Sequence, residues 1–156
     1  MQEKVIYLTP EGKQRFTAEL RELVSVKRHE VEERIRRAKE FSDTVDNAEY
    51  DEAKMEQAFV EGRIQELERM LSAAKVIEEP ASKGDYVRMG SHIKVMGDEG
   101  EAETYYLVGS HEADPRRGLV SNESPIGRAL IGKRVGDEVT VVAPAGAFTL
   151  KILEIS

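Results

Sequence analysis

The chain has 156 residues, of which 34% are charged and 40% hydrophobic, and a net charge of -7. That balance excludes a protein that grips free nucleic acid mainly through its phosphates, which needs a concentrated basic surface, and it suits a long solvated helical surface better than one large core. The absence of cysteine excludes disulfides, thiolate zinc sites and cysteine nucleophiles. Residues 1–75 hold 14 basic and 17 acidic side chains and residues 76–156 hold 9 and 13, so neither half is a basic module. Contact with nucleic acid is therefore expected to be local or mediated by a partner. The opening MQEKVIYLTPEGK lacks the apolar run of a signal peptide, and no stretch approaches membrane-spanning length. A cytoplasmic protein without a membrane partner is expected.

A helix is expected from Thr9, a good N-cap, with Pro10 at the first helical position and Glu11 against the positive end of the dipole. Phe16, Leu20, Leu23, Val24, Val31, Ile35 and Ala38 recur at helical spacing, while Arg21, Lys27 and Arg28 leave gaps in that stripe. Over residues 10–41 such a helix would be roughly 50 Å long at about 1.5 Å per residue. The next run is more regular. Ala53, Gln57, Val60, Ile64, Leu67, Leu71 and Ala74 alternate steps of four and three, the heptad seam of a coiled coil. Between the two runs lies FSDTVDN, whose Ser, Thr, Asp and Asn favour caps and turns. Two helices joined so briefly must run antiparallel, which predicts a hairpin over residues 1–75.

Residues 76–84, containing Glu78-Glu79-Pro80-Ala81-Ser82-Lys83-Gly84, are expected to form a linker, and β signals dominate beyond it. His92–Met96 and Glu103–Gly109 predict one hairpin around Gly97-Asp98-Glu99-Gly100, and Val139–Val142 and Phe148–Ile155 another around Pro144-Ala145-Gly146. Between them Ser124-Pro125-Ile126 opens a short helix that Gly132 stops. The fold class is α+β, a helical hairpin followed at residues 85–156 by a small domain with a mostly antiparallel sheet.

Chemistry is most concentrated at the tip. Asp43 and Asp46 lie three apart, so their carboxylates fall on one side of a turn and can converge on one cation. Mg²⁺ takes oxygen ligands and is often held by one or two carboxylates with water and substrate phosphate. Such a pair builds no tight site alone but could complete a metal half-held by another protein. The plain alternative is capping: Asp46-x-x-Glu49 has the form of a capping box, and Asp43 can cap or solvate the turn. Arg36, Arg37, Lys39 and Lys54 adjoin the tip, either as ordinary salt-bridging surface charges or as contacts to a nucleic-acid backbone. His29, His92 and His111 are scattered without metal-ligand spacing, and no serine lies in a nucleophile-elbow pattern.

At NAEYDEAK (residues 47–54) and SPIGRALIGKRVGDEV (residues 124–139) the chain resembles the GreA/GreB family of bacterial transcription elongation factors. LTPEGKQRF, EGRIQELERML and EAD at Glu112–Asp114 extend the resemblance, in order, over essentially the whole length. The resemblance implies an N-terminal antiparallel coiled coil and a C-terminal domain like FK506-binding proteins. It implies a monomer that docks on bacterial RNA polymerase through the globular domain and inserts the hairpin into the secondary channel. There two tip acids would help hold Mg²⁺ shared with the polymerase active site, and the polymerase would cleave the 3′ end of backtracked nascent RNA. The chain itself is then no enzyme and holds no metal alone. Carried over to this sequence, the metal-assisting acids are Asp43 and Asp46, supported by Asn47 and Tyr50. Lys39 and Lys54 match RNA-facing basic positions, and Ser124, Pro125 and Ile126 match the polymerase-docking segment. The tip departs from the family's usual glycine followed by Asp-Leu-x-Glu-Asn: it reads Ser42-Asp43-Thr44-Val45-Asp46-Asn47, with an acid one methylene shorter at Asp46.

Three other readings stand beside this one. A Gre-factor homologue could occupy the same channel and inhibit synthesis. A prolyl isomerase or chaperone would want an aromatic-walled pocket, for which only Tyr86, Tyr105, Tyr106 and Phe148 are present after the linker. A coiled-coil adaptor explains the heptads but gives no role to the tip acids or the SPIG segment.

Overall fold

The computed structural model describes residues 5–41, 47–78 and 85–156. They divide into two compact units, Lys13–Ala73 and a second made of Met1–Gly12 with Ala74–Ser156. Asp43, Asp46 and most of the expected linker lie outside the described residues. No described helix is long and apolar enough to cross a membrane.

The first helix begins where Thr9 caps it: Thr9 Oγ1 accepts the Gly12 amide at 3.0 Å. It runs as α1 (Pro10–Glu22), a π-helical turn (Leu23–Lys27) and α2 (Arg28–Phe41). The return arm is α3 (Ala48–Ala73), so Ala74, expected as the last seam residue, opens a strand instead. Within this unit Val31, Ile35, Ala53, Val60 and Ile64 form one buried cluster, with Leu20, Leu23, Val24 and Tyr50 packed against it. The π turn falls where the apolar stripe of the first arm is interrupted. A widened turn accommodates one extra residue, and the side chain that crosses to α3 here is polar. Arg28 Nε and Nη2 donate to the two carboxylate oxygens of Glu61 at 2.7 and 2.9 Å. Two residues further from the tip on the return arm, Arg63 makes the same fork with Glu19 at 2.8 and 3.0 Å. Bidentate guanidinium–carboxylate pairs fix orientation as well as charge, so they set the register of the two arms. The hydrogen bond from Arg28 holds the Glu61 carboxyl below its ordinary range.

The second unit contains two sheets. Strands β1 (Ile6–Leu8) and β2 (Ala74–Val76) pair in parallel, with Ile6 opposite Ala74 and Leu8 opposite Val76. Strands β3 (His92–Gly97), β4 (Ala102–Val108), β5 (Leu119–Ser121), β6 (Glu138–Ala143) and β7 (Gly146–Ile155) form a sheet in the order β5-β4-β3-β7-β6. All its pairings are antiparallel except β4 with β5. Both expected hairpins are present within a residue or two of their expected ends. Helix α4 (Pro125–Leu130) crosses between β5 and β6 and stops before Gly132, whose φ of 81° few other residues adopt without strain. The core is aliphatic: Val87, Ile93, Val95, Leu107, Leu130, Val139, Val141 and Ile152 are among its buried members. The α+β class and the helical hairpin are as the sequence indicates. The parallel strands β1 and β2, which group residues before and after the hairpin with the globular unit, were not expected.

Candidate functional site

Helix α3 starts at Ala48, which makes Asn47 its N-cap; Asp46, which opens the expected capping box Asp46-x-x-Glu49, lies outside the described residues. Asn47 Oδ1 accepts the amide of Tyr50 at 3.1 Å, while Asn47 Nδ2 donates to the carbonyl of Ala38 at 2.8 Å. Ala38 is in the last four residues of α2, where carbonyls lack a helical donor, and Tyr50 is in the first turn of α3, where amides lack an acceptor. One amide side chain therefore satisfies an orphan of each helix. Asp or Ser could accept the Tyr50 amide, but a carboxylate cannot donate to Ala38. This residue ties the arms together directly after the segment that holds Asp43 and Asp46.

Around this clamp the basic residues fall into two groups. Arg36 is bound by Glu33 and Glu40, and Arg37 by Glu33, so both belong to an exposed ion-pair lattice along α2. Hydrogen bonding from Arg36 depresses the Glu33 carboxyl. Lys39 and Lys54 form no ion pair among the described residues. The Lys39 ammonium lies 5.8 Å from the centre of the Tyr50 ring, a cation–π distance, and Lys54 Nζ donates to Gln57 Oε1 at 3.1 Å. Tyr50 thus touches the seam cluster, the Lys39 ammonium and the Asn47 cap. No group of three or more His, Asp or Glu among the described residues is arranged to hold a metal. The carboxylates of Asp43 and Asp46 are hard oxygen donors suited to Mg²⁺, and being only two they would leave its other ligands to a partner.

The globular unit contributes a separate feature. Ser124 caps α4, its Oγ accepting the Gly127 amide at 3.2 Å and donating to the Ser121 carbonyl at 2.6 Å. Gly127 is required by packing, since a Cβ there would overlap the Ser121 carbonyl oxygen. Ser124, Pro125 and Ile126 line a cavity of about 360 Å³ together with Tyr105, Pro115, Leu119, Val141 and Phe148. Burial and a hydrogen bond to Glu103 push the Tyr105 phenol up to about 12. The sequence reading found the helix side of this cavity but not its sheet side, because the wall residues come from four separate strands and one turn. It also left Glu112 without a role. Glu112 is buried, and its carboxylate accepts the Thr9 amide at 2.7 Å and the Thr9 hydroxyl at 2.5 Å, which orients the cap of α1.

Two family descriptions match the chain over most of its length. Residues 6–76 match "Transcription elongation factor, N-terminal", and residues 81–156 match "Transcription elongation factor, GreA/GreB, C-term". The chain belongs to the GreA/GreB family. The transcription elongation factor GreA of Acetivibrio thermocellus is 53% identical over 153 residues, covering 97% of this chain and 96% of that protein. GreA of Bacillus licheniformis is 50% identical over 156 residues, covering 99% of each. Among solved structures, the GreA factor homologue 1 of Thermus thermophilus is 29% identical, covers 98% of this chain and 99% of that chain, and superposes with a TM-score of 0.45. In this GreA/GreB chain the Asn47 clamp, Lys39 and Lys54 fall within the N-terminal match, and the cavity and α4 within the C-terminal one.

Proposed function

We infer that this transcription elongation factor binds bacterial RNA polymerase, inserts its hairpin into the secondary channel and stimulates the polymerase's own cleavage of backtracked RNA. The observation that supports this most directly is the Asn47 clamp, which closes the helical hairpin immediately beyond Asp43 and Asp46. A closed hairpin end suits a pair of acids that must be presented to another protein's site. Asp43 and Asp46 would each offer carboxylate oxygens toward a Mg²⁺ ion shared with the polymerase, and Asn47 would position them through the backbone that follows. When bound, that ion offsets charge on a scissile phosphate and lowers the pKa of a water. Lys39 and Lys54, lacking acidic partners among the described residues, are available to the RNA backbone beside the acids. Ser124, Pro125 and Ile126 would dock the globular unit on the polymerase. On this reading the chain donates ligands and position, and hydrolysis belongs to the polymerase.

The test is a stalled, backtracked polymerase complex carrying 3′-labelled RNA, incubated with the full chain and Mg²⁺. Release of a short labelled fragment, followed by resumed elongation, is the expected result. Channel occupancy with slowed synthesis and no fragment would replace this reading with the inhibitory one.

A further inference from the structure

The first turn of α1 is completed by a residue from far along the chain. In a capping box the N-cap hydroxyl accepts the amide three residues on, and a Glu or Gln at that third position reaches back to the N-cap amide. Thr9 caps α1, and the third position is Gly12, which has no side chain to reach back. Thr9 Oγ1 accepts the Gly12 amide at 3.0 Å. The missing half of the box comes from Glu112, whose carboxylate accepts the Thr9 amide at 2.7 Å and the Thr9 hydroxyl at 2.5 Å. A Cβ on Gly12 would overlap that carboxylate, so the glycine leaves free the place that Glu112 fills. Glu112 is the one charged side chain buried among the described residues, and Thr9 is buried with it. The 3₁₀ turn Ser110–Glu112 follows Gly109, where a Cβ would overlap the Tyr7 carbonyl oxygen. Turn and cap are therefore packed against each other.

Thr9, Gly12 and Glu112 all belong to the unit made of Met1–Gly12 and Ala74–Ser156, whereas α1 runs unbroken from Pro10 to Glu22 and carries the chain into the Lys13–Ala73 unit. Resting on the reading above, we propose that Glu112 is a positioning residue for the stimulated cleavage. It acts through Thr9 to make the start of the first arm part of the globular unit, so that the hairpin presenting Asp43 and Asp46 keeps its place once that unit is docked. A carboxylate at the N-terminus of α1 also complements the helix dipole, but a Glu at position 12 would do that equally well. What a local carboxylate cannot supply is the tie from the cap of α1 to residue 112. A loosened root lets the tip acids wander, and a displacement of about 1 Å at reacting groups costs on the order of a hundredfold in rate. The effect therefore falls on the cleavage step and not on binding through Ser124, Pro125 and Ile126.

The test titrates the full chain against a backtracked polymerase complex carrying 3′-labelled RNA, which gives a maximal cleavage rate and a half-saturating concentration. Native-state hydrogen exchange at the Gly12 amide is measured alongside. Glu112→Ala should lower the maximal rate at least about tenfold with the half-saturating concentration unchanged, and should speed Gly12 exchange about tenfold. The double variant Gly12→Glu, Glu112→Ala moves the carboxylate into the local box. It should return Gly12 exchange to the native rate and leave the maximal cleavage rate as low as in Glu112→Ala. Cleavage that recovers together with exchange would make Glu112 a cap and nothing more, and overturns the proposal. A raised half-saturating concentration at native maximal rate would place Glu112 in binding, and overturns it as well. So does a native maximal rate, or native Gly12 exchange, in a folded Glu112→Ala chain, and the proposed function then stands. If Glu112→Ala does not fold, the double variant decides alone, because its first turn keeps a cap. A native chain that binds polymerase and releases no fragment removes the proposed function, and this proposal with it.

Discussion

Replacing Asn47 by alanine isolates the clamp at the end of the hairpin. The substitution removes the acceptor of the Tyr50 amide and the donor to the Ala38 carbonyl. Loss of an Asn N-cap costs about 1 kcal/mol, and loss of one further hydrogen bond between the arms costs about 1 kcal/mol more. Together they come to about 2 kcal/mol, or roughly a thirtyfold rise in the local opening equilibrium of the first turn of α3. Native-state hydrogen exchange reads this at the amides of Tyr50 and Asp51, the second of which donates to the Asn47 carbonyl at 3.1 Å. Asn47→Asp is the discriminating partner, because it keeps the cap and removes only the donor. It should fall between the native chain and the alanine variant, at roughly fivefold faster exchange, the effect of about 1 kcal/mol. Native exchange rates at both amides in Asn47→Ala would refute the clamp. Equal rates in Asn47→Asp and the native chain would leave a cap with no link to Ala38.

Other outcomes follow from the same geometry. Asp43→Asn and Asp46→Asn should each abolish stimulated RNA cleavage with polymerase binding retained; because Asn47 caps α3, Asp46→Asn should also change stability by less than about 0.5 kcal/mol, and cleavage at the native rate by both would remove the metal-donor role. Asp46→Glu should match or exceed native cleavage, most visibly at low Mg²⁺. Gly62 has open space around its Cβ position in mid-helix, so Gly62→Ala should stabilise the hairpin by about 1 kcal/mol in denaturant titration, whereas Gly127→Ala should lower the melting temperature of the globular unit or prevent its folding. Glu61 is depressed below its ordinary value of 4.5 by Arg28, so its contribution is present above that pH and is lost as pH falls through the lower folded value; thermal melts from pH 6 to pH 3 should show a smaller acid-side decline in Glu61→Gln.

The long elements were legible because their periods are strong. Heptad spacing from Ala53 to Leu67 and the alternation in His92–Met96 leave little freedom, and Ser124-Pro125 with Gly132 bounds α4 chemically. Boundaries chosen by competing caps were not. Asp46 and Asn47 are equally good caps, and only the unfilled carbonyl of Ala38, a fact of tertiary structure, favours Asn47. The three-residue strands β1, β2 and β5 are too short for a period to register. Their pairing is parallel, so the partners lie far apart in the chain, as Leu8 does from Val76. Arg28 illustrates the reverse case: the gap it leaves in the apolar stripe is visible in the sequence, but the π turn and the fork to Glu61 that occupy the gap are not. At the candidate site, the family resemblance supplied roles for Lys39 and Lys54, and the structure adds that neither is paired to an acid among the described residues.

The parallel pairing of β1 with β2 makes residues 9–73 a crossover connection between neighbouring strands, far longer than the dozen or so residues such a connection needs. The two roots of the hairpin are fixed side by side by Ile6 opposite Ala74 and Leu8 opposite Val76. Whole heptads can be added to or deleted from both arms without altering where the chain leaves and re-enters the sheet. Arm length can therefore vary in steps of about 10 Å per heptad while the β1–β2 pairing stays as it is.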